Sequence, residues 1–370
     1  MRNTRLVAIG LVLSLFTSCG YSGDTAPAEK VELYPVVKDG KWGFMDKVGK
    51  VVIEPKYECA WDFTEGLARV QVDKRRGFID GTGKMVIEPT YAMAWAFSDG
   101  MAAVFVGGRL FGKFMDLRNS GTWGFIDRTG KLVLKANMTK ARDFVEGFAG
   151  VYEGPGGRQR WAYINKEGKA IMRGLRTASR DFSEGLVAVN SDIRHPKWGY
   201  HDGTGKAVIE PAYAGARSFS EGMAAVAVPE EEPAAEEGKK KRRRRGPPPV
   251  KWGFIDKTGK TVIEPQYKDT GPFSDGIAAV KTKEGTWGCI DREGKTVVEP
   301  QFEFVAPVSE GLARVVKDGK HGFMDKTGKT VIEPKFDLAW EFSKGLARVE
   351  IEGKQGYVDK SGTYVWEPTK

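Results

Sequence analysis

The chain has 370 residues, 58 Lys or Arg against 49 Asp or Glu, a formal charge of +9 and three cysteines. A length of this order ordinarily means two or three domains, but almost the whole chain repeats one phrase, so length does not count domains here. The positive excess falls to +7 once Arg2 and Arg5 are set aside, too diffuse to name a partner, and no cysteine stands in a CxxC or metal-ligand spacing.

In chain order, MRNTRLVAIGLVLSLFTSCG comes first: two arginines, an apolar run from Leu6 to Phe16, the small Thr17 and Ser18, then Cys19. The run is too short for a stable span and predicts a secretory signal over residues 1–18. A cysteine directly after small residues resembles the bacterial lipoprotein signal, although Phe16 stands where leucine is most common. That resemblance implies acylation of Cys19, secretion across the inner membrane and a lipid anchor in the bacterial cell envelope. Residues 19–30 read as a tether without periodicity.

The phrase itself is KWGFIDKTGKTVIEPQY, Lys251 to Tyr267, with copies whose turn residues are Asp46, Asp80, Asp127, Asn165, Asp202, Asp256, Asp291, Asp325 and Asp359. Apolar alternation on both sides of Asp-Lys-Thr-Gly predicts two strands joined by a tight turn, the Asp bonding backbone N–H groups and the Gly taking positive φ. Glu-Pro ends the second of these strands, because proline has no N–H for a central ladder. A bend follows, Y-x-x-A-x-x-F, which the spacing leaves open between one helical turn and an irregular loop. Ser/Thr-Glu/Asp-Gly and a third strand, GLARV-like, close the unit. Each unit thus holds strands A (GLARV), B (WGFID) and C (KTVIEP).

The fold class expected is all-β, an array of about nine three-stranded antiparallel units. An open, curved solenoid is favoured over the alternative, a closed propeller-like ring. The period of about 34 is short for a four-stranded blade, and no unit is split between the ends to latch a ring. Repeats one to five occupy 31–228 and repeats six to nine 250–370, as one continuous array around a charged loop at 229–249. The motif resembles the WG-repeat (KWG) family from Leu33 to Pro368, which implies architecture and no single chemistry. Units three and four depart from it, with Lys135-Ala136 in place of Glu-Pro and Asn165 in place of the turn Asp.

From turn residue to the next SEG glycine every unit spans 20 residues, whereas the A–B links measure 14, 27, 18, 17, 34, 15, 14 and 14. The insertions therefore collect on one rim, where repeat proteins bind. Val104–Trp123 reads as an extended hairpin carrying Arg109, Phe111, Lys113 and Arg118. The other long link carries Lys239, Lys240, Lys241, Arg242, Arg243, Arg244 and Arg245 in a segment too polar to fold alone. Behind a secretory signal, nucleic acid is disfavoured as its partner, and an anionic envelope component or an unknown protein is expected.

No HExxH, Gly-x-Ser-x-Gly or phosphate loop is present, so no catalytic residue, metal or cofactor is assigned. Every VIEP Glu and every turn Asp has a structural post. Trp42, Trp123, Trp198, Trp252 and Trp287 share the WG slot with Trp161, while Trp61, Trp95 and Trp340 share another beside the bend. Both rows are expected as core, sitting on the strand face of the Phe two residues later. The function expected is non-enzymatic, envelope-anchored binding or scaffolding. The alternative is a glycan or peptidoglycan binder using exposed tryptophans, and a hydrolase ranks last.

Overall fold

The computed structural model describes 32–107, 121–153, 160–175, 180–190, 197–230 and 248–369, apart from the side chains of 136–137, and the backbone of the short strands Leu110–Phe111 and Phe114–Met115. The signal, Cys19, the tether and Lys239 to Arg245 lie outside the described residues.

Nine small antiparallel sheets, one per unit, form the blades of a closed ring. Blade two shows the plan. Cys59–Thr64, Leu67–Val72, Arg75–Ile79 and Met85–Tyr91 lie side by side in chain order. The Y-x-x-A-x-x-F bend is therefore a fourth strand, innermost in the blade, where the sequence offered a helical turn or a loop. Blade one (Tyr34–Lys38, Lys41–Met45, Val51–Tyr57) and blade five (Leu186–Asn190, Trp198–Asp202, Ala207–Tyr213) have three strands, though Ser183 of blade five still bridges to Leu186. The short period accommodates four strands because the bend strand has only two to six residues, from Met93–Ala94 to Cys59–Thr64. Its link to strand A is equally short, a two-residue turn such as Glu65-Gly66, with φ 51° and 80°.

The WG dipeptide has a steric cause. Trp252 faces Tyr267, but Phe254, two residues on, faces Ile263, four residues back, so strand C bulges at Glu-Pro. The bulge presses backbone against Gly253, where a Cβ would lie 2.4 Å from Ile263 O and 2.6 Å from Pro265 N. Only glycine fits there. Blade four has no Glu-Pro, and Ala162 takes the slot. Strand C is also the outer edge of each blade. In all blades but three and four, proline removes a donor there and the exposed Glu before it adds charge, which blunts edge pairing.

Neighbouring blades are joined by packing and by a belt of turns. The strand B aromatic ring meets the bend Phe of the next blade edge-on, as in Phe78–Phe97 at 4.9 Å and Phe254–Phe273 at 4.8 Å. Near the axis, Ser98, Ser183, Ser220, Ser274 and Ser309 donate Oγ–H to a bend carbonyl of the next blade at 2.6–2.7 Å. Six of the seven turn acids accept the following turn's glycine N–H, as Glu184 Oε2 from Gly222 N at 3.0 Å and Glu310 Oε2 from Gly345 N at 2.9 Å; Asp275 is the exception. The positive φ belongs to the two-residue turn itself, since Asp275 at 52° and Lys344 at 55° share it without such a bond.

The ring closes at blade one, which has no bend strand among the described residues. Elsewhere two strand A carbonyls accept bend N–H groups, as Arg348 O from Trp340 N at 3.0 Å and Glu350 O from Asp337 N at 2.9 Å. In blade one the matching carbonyls are Pro35 O and Val37 O. Two hydroxyls of blade nine serve them: Tyr357 OH at 2.9 Å and Thr369 Oγ1 at 2.8 Å. Tyr34 fills the place of the missing bend Phe, its ring 5.8 Å from that of Tyr357, and its hydroxyl donates to Lys344 O. Lys344 stands where the other turns carry an acid, and its ammonium reaches past blade one to Phe63 O of blade two at 3.3 Å. The favoured open array thus gives way to its alternative, the ring, because side chains supply the latch that strand exchange would otherwise provide.

Candidate functional site

Most slots of the unit hold one kind of residue all round the ring. The slot two residues before the bend Phe, next after the bend alanine or the Ser, Thr or Val that replaces it, does not. From blade two to blade nine it reads Trp61, Trp95, Arg142, Arg180, Arg217, Gly271, Ala306 and Trp340. Because the bend strand is innermost, this slot lies along the inner wall. The wall is divided into an aromatic sector flanking blade one, a cationic sector over blades four to six, and a small-residue sector over blades seven and eight.

In the aromatic sector Trp95 is 39% exposed, while Trp61 and Trp340 are half-buried. Arg69 and Arg348, from the neighbouring strand A, lie over Trp61 and Trp340, each 4.0 Å from the ring centroid. Trp95 stacks on Trp123 at 5.8 Å and 6°. A cavity of about 450 Å³ opens where blade one lacks its bend strand, lined by Asp62, Trp340, Glu341, Lys344, Arg348 and Tyr34 among others. In the cationic sector a cavity of about 580 Å³ is lined by Arg142, Arg180, Asp181, Phe182, Ser183, Trp198 and Ser218.

Between the two sectors stands Asp143. Burial first, and then the Asp181 charge, push its carboxyl up to about 6 against the opposing pull of Arg69. Its Oδ1 is buried without a hydrogen-bond partner. A carboxyl whose folded pKa is raised is favourable when protonated and costs stability once ionised, so the cost grows as pH rises from about 4 through about 6. Asp143→Asn should therefore raise the melting temperature at pH 8, by about 1–2 kcal/mol of stability after allowance for solvent screening, and change it little at pH 4. Paired thermal melts at the two pH values check this; equal effects at both would remove the assignment.

The WG-slot tryptophans divide by degree. Trp123 and Trp287 are 7% exposed, and Trp42, Trp198 and Trp252 pack half-buried against their blade cores. The other tryptophan row faces the wall instead, which the expectation of two core rows did not separate. Cys289 is buried in the Phe slot and burial pushes its thiol up to about 12, while Cys59 is half-buried; both are free. Among the described residues no group of three or more His, Cys, Asp or Glu is placed to hold a metal ion.

The expected extended hairpin is present: Met101–Gly107 pairs with Gly121–Asp127, and Leu110–Phe111 with Phe114–Met115. Of its candidate residues only the backbone of Phe111 is described, and Arg109, Lys113 and Arg118 lie outside the described residues. The signal for the inner wall was present in the sequence as a slot that changes character by sector, but it gains meaning only once the bend is known to be innermost.

Seven segments, 42–75, 77–109, 123–154, 198–228, 252–286, 287–320 and 322–354, match the model of the WG containing repeat, and the chain belongs to that family. No curated protein matches the chain. Among solved structures, a eukaryotic initiation factor is similar at 10% identity and TM-score 0.58, over 90% of this chain and 94% of that one. The computationally designed Ika8 protein is similar at 13% identity and TM-score 0.45, over 82% and 93%. BamB from Moraxella catarrhalis is similar at 12% identity and TM-score 0.32, over 91% and 95%. At such identities the first likeness supports the fold alone, and the other two carry no argument.

Proposed function

We propose that the chain is a non-enzymatic binding or scaffolding module that seats its ligand on the inner wall of the ring. The observation that carries this reading is the slot after the bend alanine. Repetition keeps a residue where the fold needs it, so an inner-wall slot that changes from Trp to Arg to Gly by sector serves something other than the fold. A glycan or peptidoglycan strand is favoured as ligand by Trp95, whose indole is 39% exposed beside its stacking partner Trp123. A hydrolase is disfavoured because the repeated turn acids are already engaged. Asp256 Oδ1, for example, accepts N–H groups from Thr258 and Lys260 at 2.9 and 3.0 Å.

Acylation of Cys19 would hold the chain to the envelope, where the charge of the Lys239 to Arg245 run suits anionic material. The test is capture from envelope extract by the full chain, alongside Trp61→Ala/Trp95→Ala and a deletion of 230–248. The tryptophan pair should lose most of the captured material while the melting temperature holds, and Cys19→Ala should move the protein from membrane to soluble fractions. Undiminished capture by the tryptophan pair, with loss on deletion of 230–248, would transfer the function to the charged loop.

A further inference from the structure

We infer that the cationic sector binds the carboxylate of an acidic saccharide, held by Arg142 and Arg180 in the cavity of about 580 Å³ beside the tryptophan sector. This rests on the reading of the inner wall as the ligand seat and names the ligand's chemical class.

The guanidinium of Arg180 is held in place by its own backbone contact: Nε–H donates to Ala216 O of the next blade at 2.9 Å. Its terminal nitrogens have no partner among the described residues, so a planar fork of donors stands ready at the cavity. Arg142 lies over the Trp161 ring, 5.5 Å from its centroid, and its one ion pair among the described residues is with Asp181, at 3.3 Å, between side chains 36% and 47% exposed. Such a pair contributes little, and an incoming carboxylate can replace Asp181 at small cost. Arg217, the third arginine of the sector, is already paired with Asp269 and is not counted as a donor.

The rest of the lining suits a sugar. Trp198 presents an indole at the cavity, and Ser183 Oγ, which donates to Phe219 O at 2.6 Å, keeps lone pairs for a sugar hydroxyl. In the preceding blades the partly exposed Trp95 and the Arg69-capped Trp61 continue the same wall, so a chain of sugars that places its acid at the arginines has further aromatic surface beside it. The charge of the site selects among anions. Arg142 and Arg180 are opposed by Asp181 and, above about pH 6, by Asp143 as well, so the site has no charge excess to hold a phosphate dianion and suits a monoanionic carboxylate better. Guanidinium also matches a planar carboxylate with two parallel hydrogen bonds, which a lysine cannot reproduce.

The experiment is calorimetric titration of the full chain with a panel of oligogalacturonate, oligoglucuronate and N-acetylmuramate-containing oligosaccharide. The methyl ester of each serves as a neutral control with the same rings, and inorganic phosphate as a competitor. At least one acid should bind about tenfold tighter than its ester, with the preference shrinking as salt rises. Arg180→Gln should reduce that preference to about twofold or less while the ring stays folded, its melting temperature falling only by the loss of the single bond to Ala216 O, and Arg180→Lys should restore the preference only in part. Acid and ester binding equally well, a preference that survives Arg180→Gln, or phosphate displacing the acid at equal concentration would each overturn the inference. If the ester binds equally and Trp95→Ala abolishes both, the inference falls and the inner-wall reading stands. If no panel member binds and envelope capture survives Trp61→Ala/Trp95→Ala, both fall.

Discussion

Gly253→Ala is expected to cost on the order of 3–5 kcal/mol, a loss in the range reserved for a backbone that has nowhere to move. The added Cβ would sit 2.4 Å from Ile263 O and 2.6 Å from Pro265 N, both backbone atoms of the bulged strand C. Relief requires the Glu-Pro bulge to shift, and with it the pairing of Trp252 with Tyr267. Gly276→Ala is the informative control. Its φ is +81°, yet a Cβ there meets nothing within 4 Å, so only the left-handed conformation is penalised, by about 1–2 kcal/mol. Thermal melts of the two variants, with hydrogen exchange followed over blade six, separate steric from conformational cost. Equal losses would mean that the WG glycine is kept for its φ freedom and that the bulge yields easily. Ala162→Gly, in blade four, one of two blades without Glu-Pro, should change stability by no more than about 1 kcal/mol.

The hairpins were legible because their chemistry is local. Asp256 and Gly259 lie within one turn, and Asp256 accepts the Thr258 and Lys260 N–H groups as their order in sequence implies. The bend strand was not legible. Its ladder with strand A shifts register between Ala60 and Phe63, which breaks the alternation by which a strand is recognised. Closure escaped for a different reason, since it depends on Tyr34 and Tyr357, residues separated by nearly the whole repeat array. One local sign existed: Lys344, a lysine in a slot otherwise held by Asp or Glu. Without a ring in view, that substitution has no meaning; with one, it marks the turn that has no successor to bind. The inner wall follows the same logic, for Trp61, Trp95, Arg142, Arg180 and Arg217 are a pattern only when the bend faces the axis.

Opening of the seam is the second large effect expected. Tyr357→Phe/Thr369→Val keeps nearly every packing atom and removes the two hydroxyl donors of Pro35 O and Val37 O. Each carbonyl would lose its partner at a closed interface, at about 1–3 kcal/mol apiece, so the double variant should lose on the order of 2–5 kcal/mol. The loss should be confined in space. Amide exchange should accelerate in blades one and nine, over 34–57 and 346–369, while blades four to seven keep their protection, because stacked blades answer mainly to their neighbours. Lys344→Glu should act in the same direction. It restores the acid of the other turns, but blade one offers no glycine N–H to receive it, and the new carboxylate would face Phe63 O where an ammonium now donates. Uniform exchange around the ring in either variant would show that closure is carried by the Tyr34–Tyr357 packing alone. Local opening would place it in the hydroxyls and the lysine, residues that stand where the missing strand would have made its hydrogen bonds.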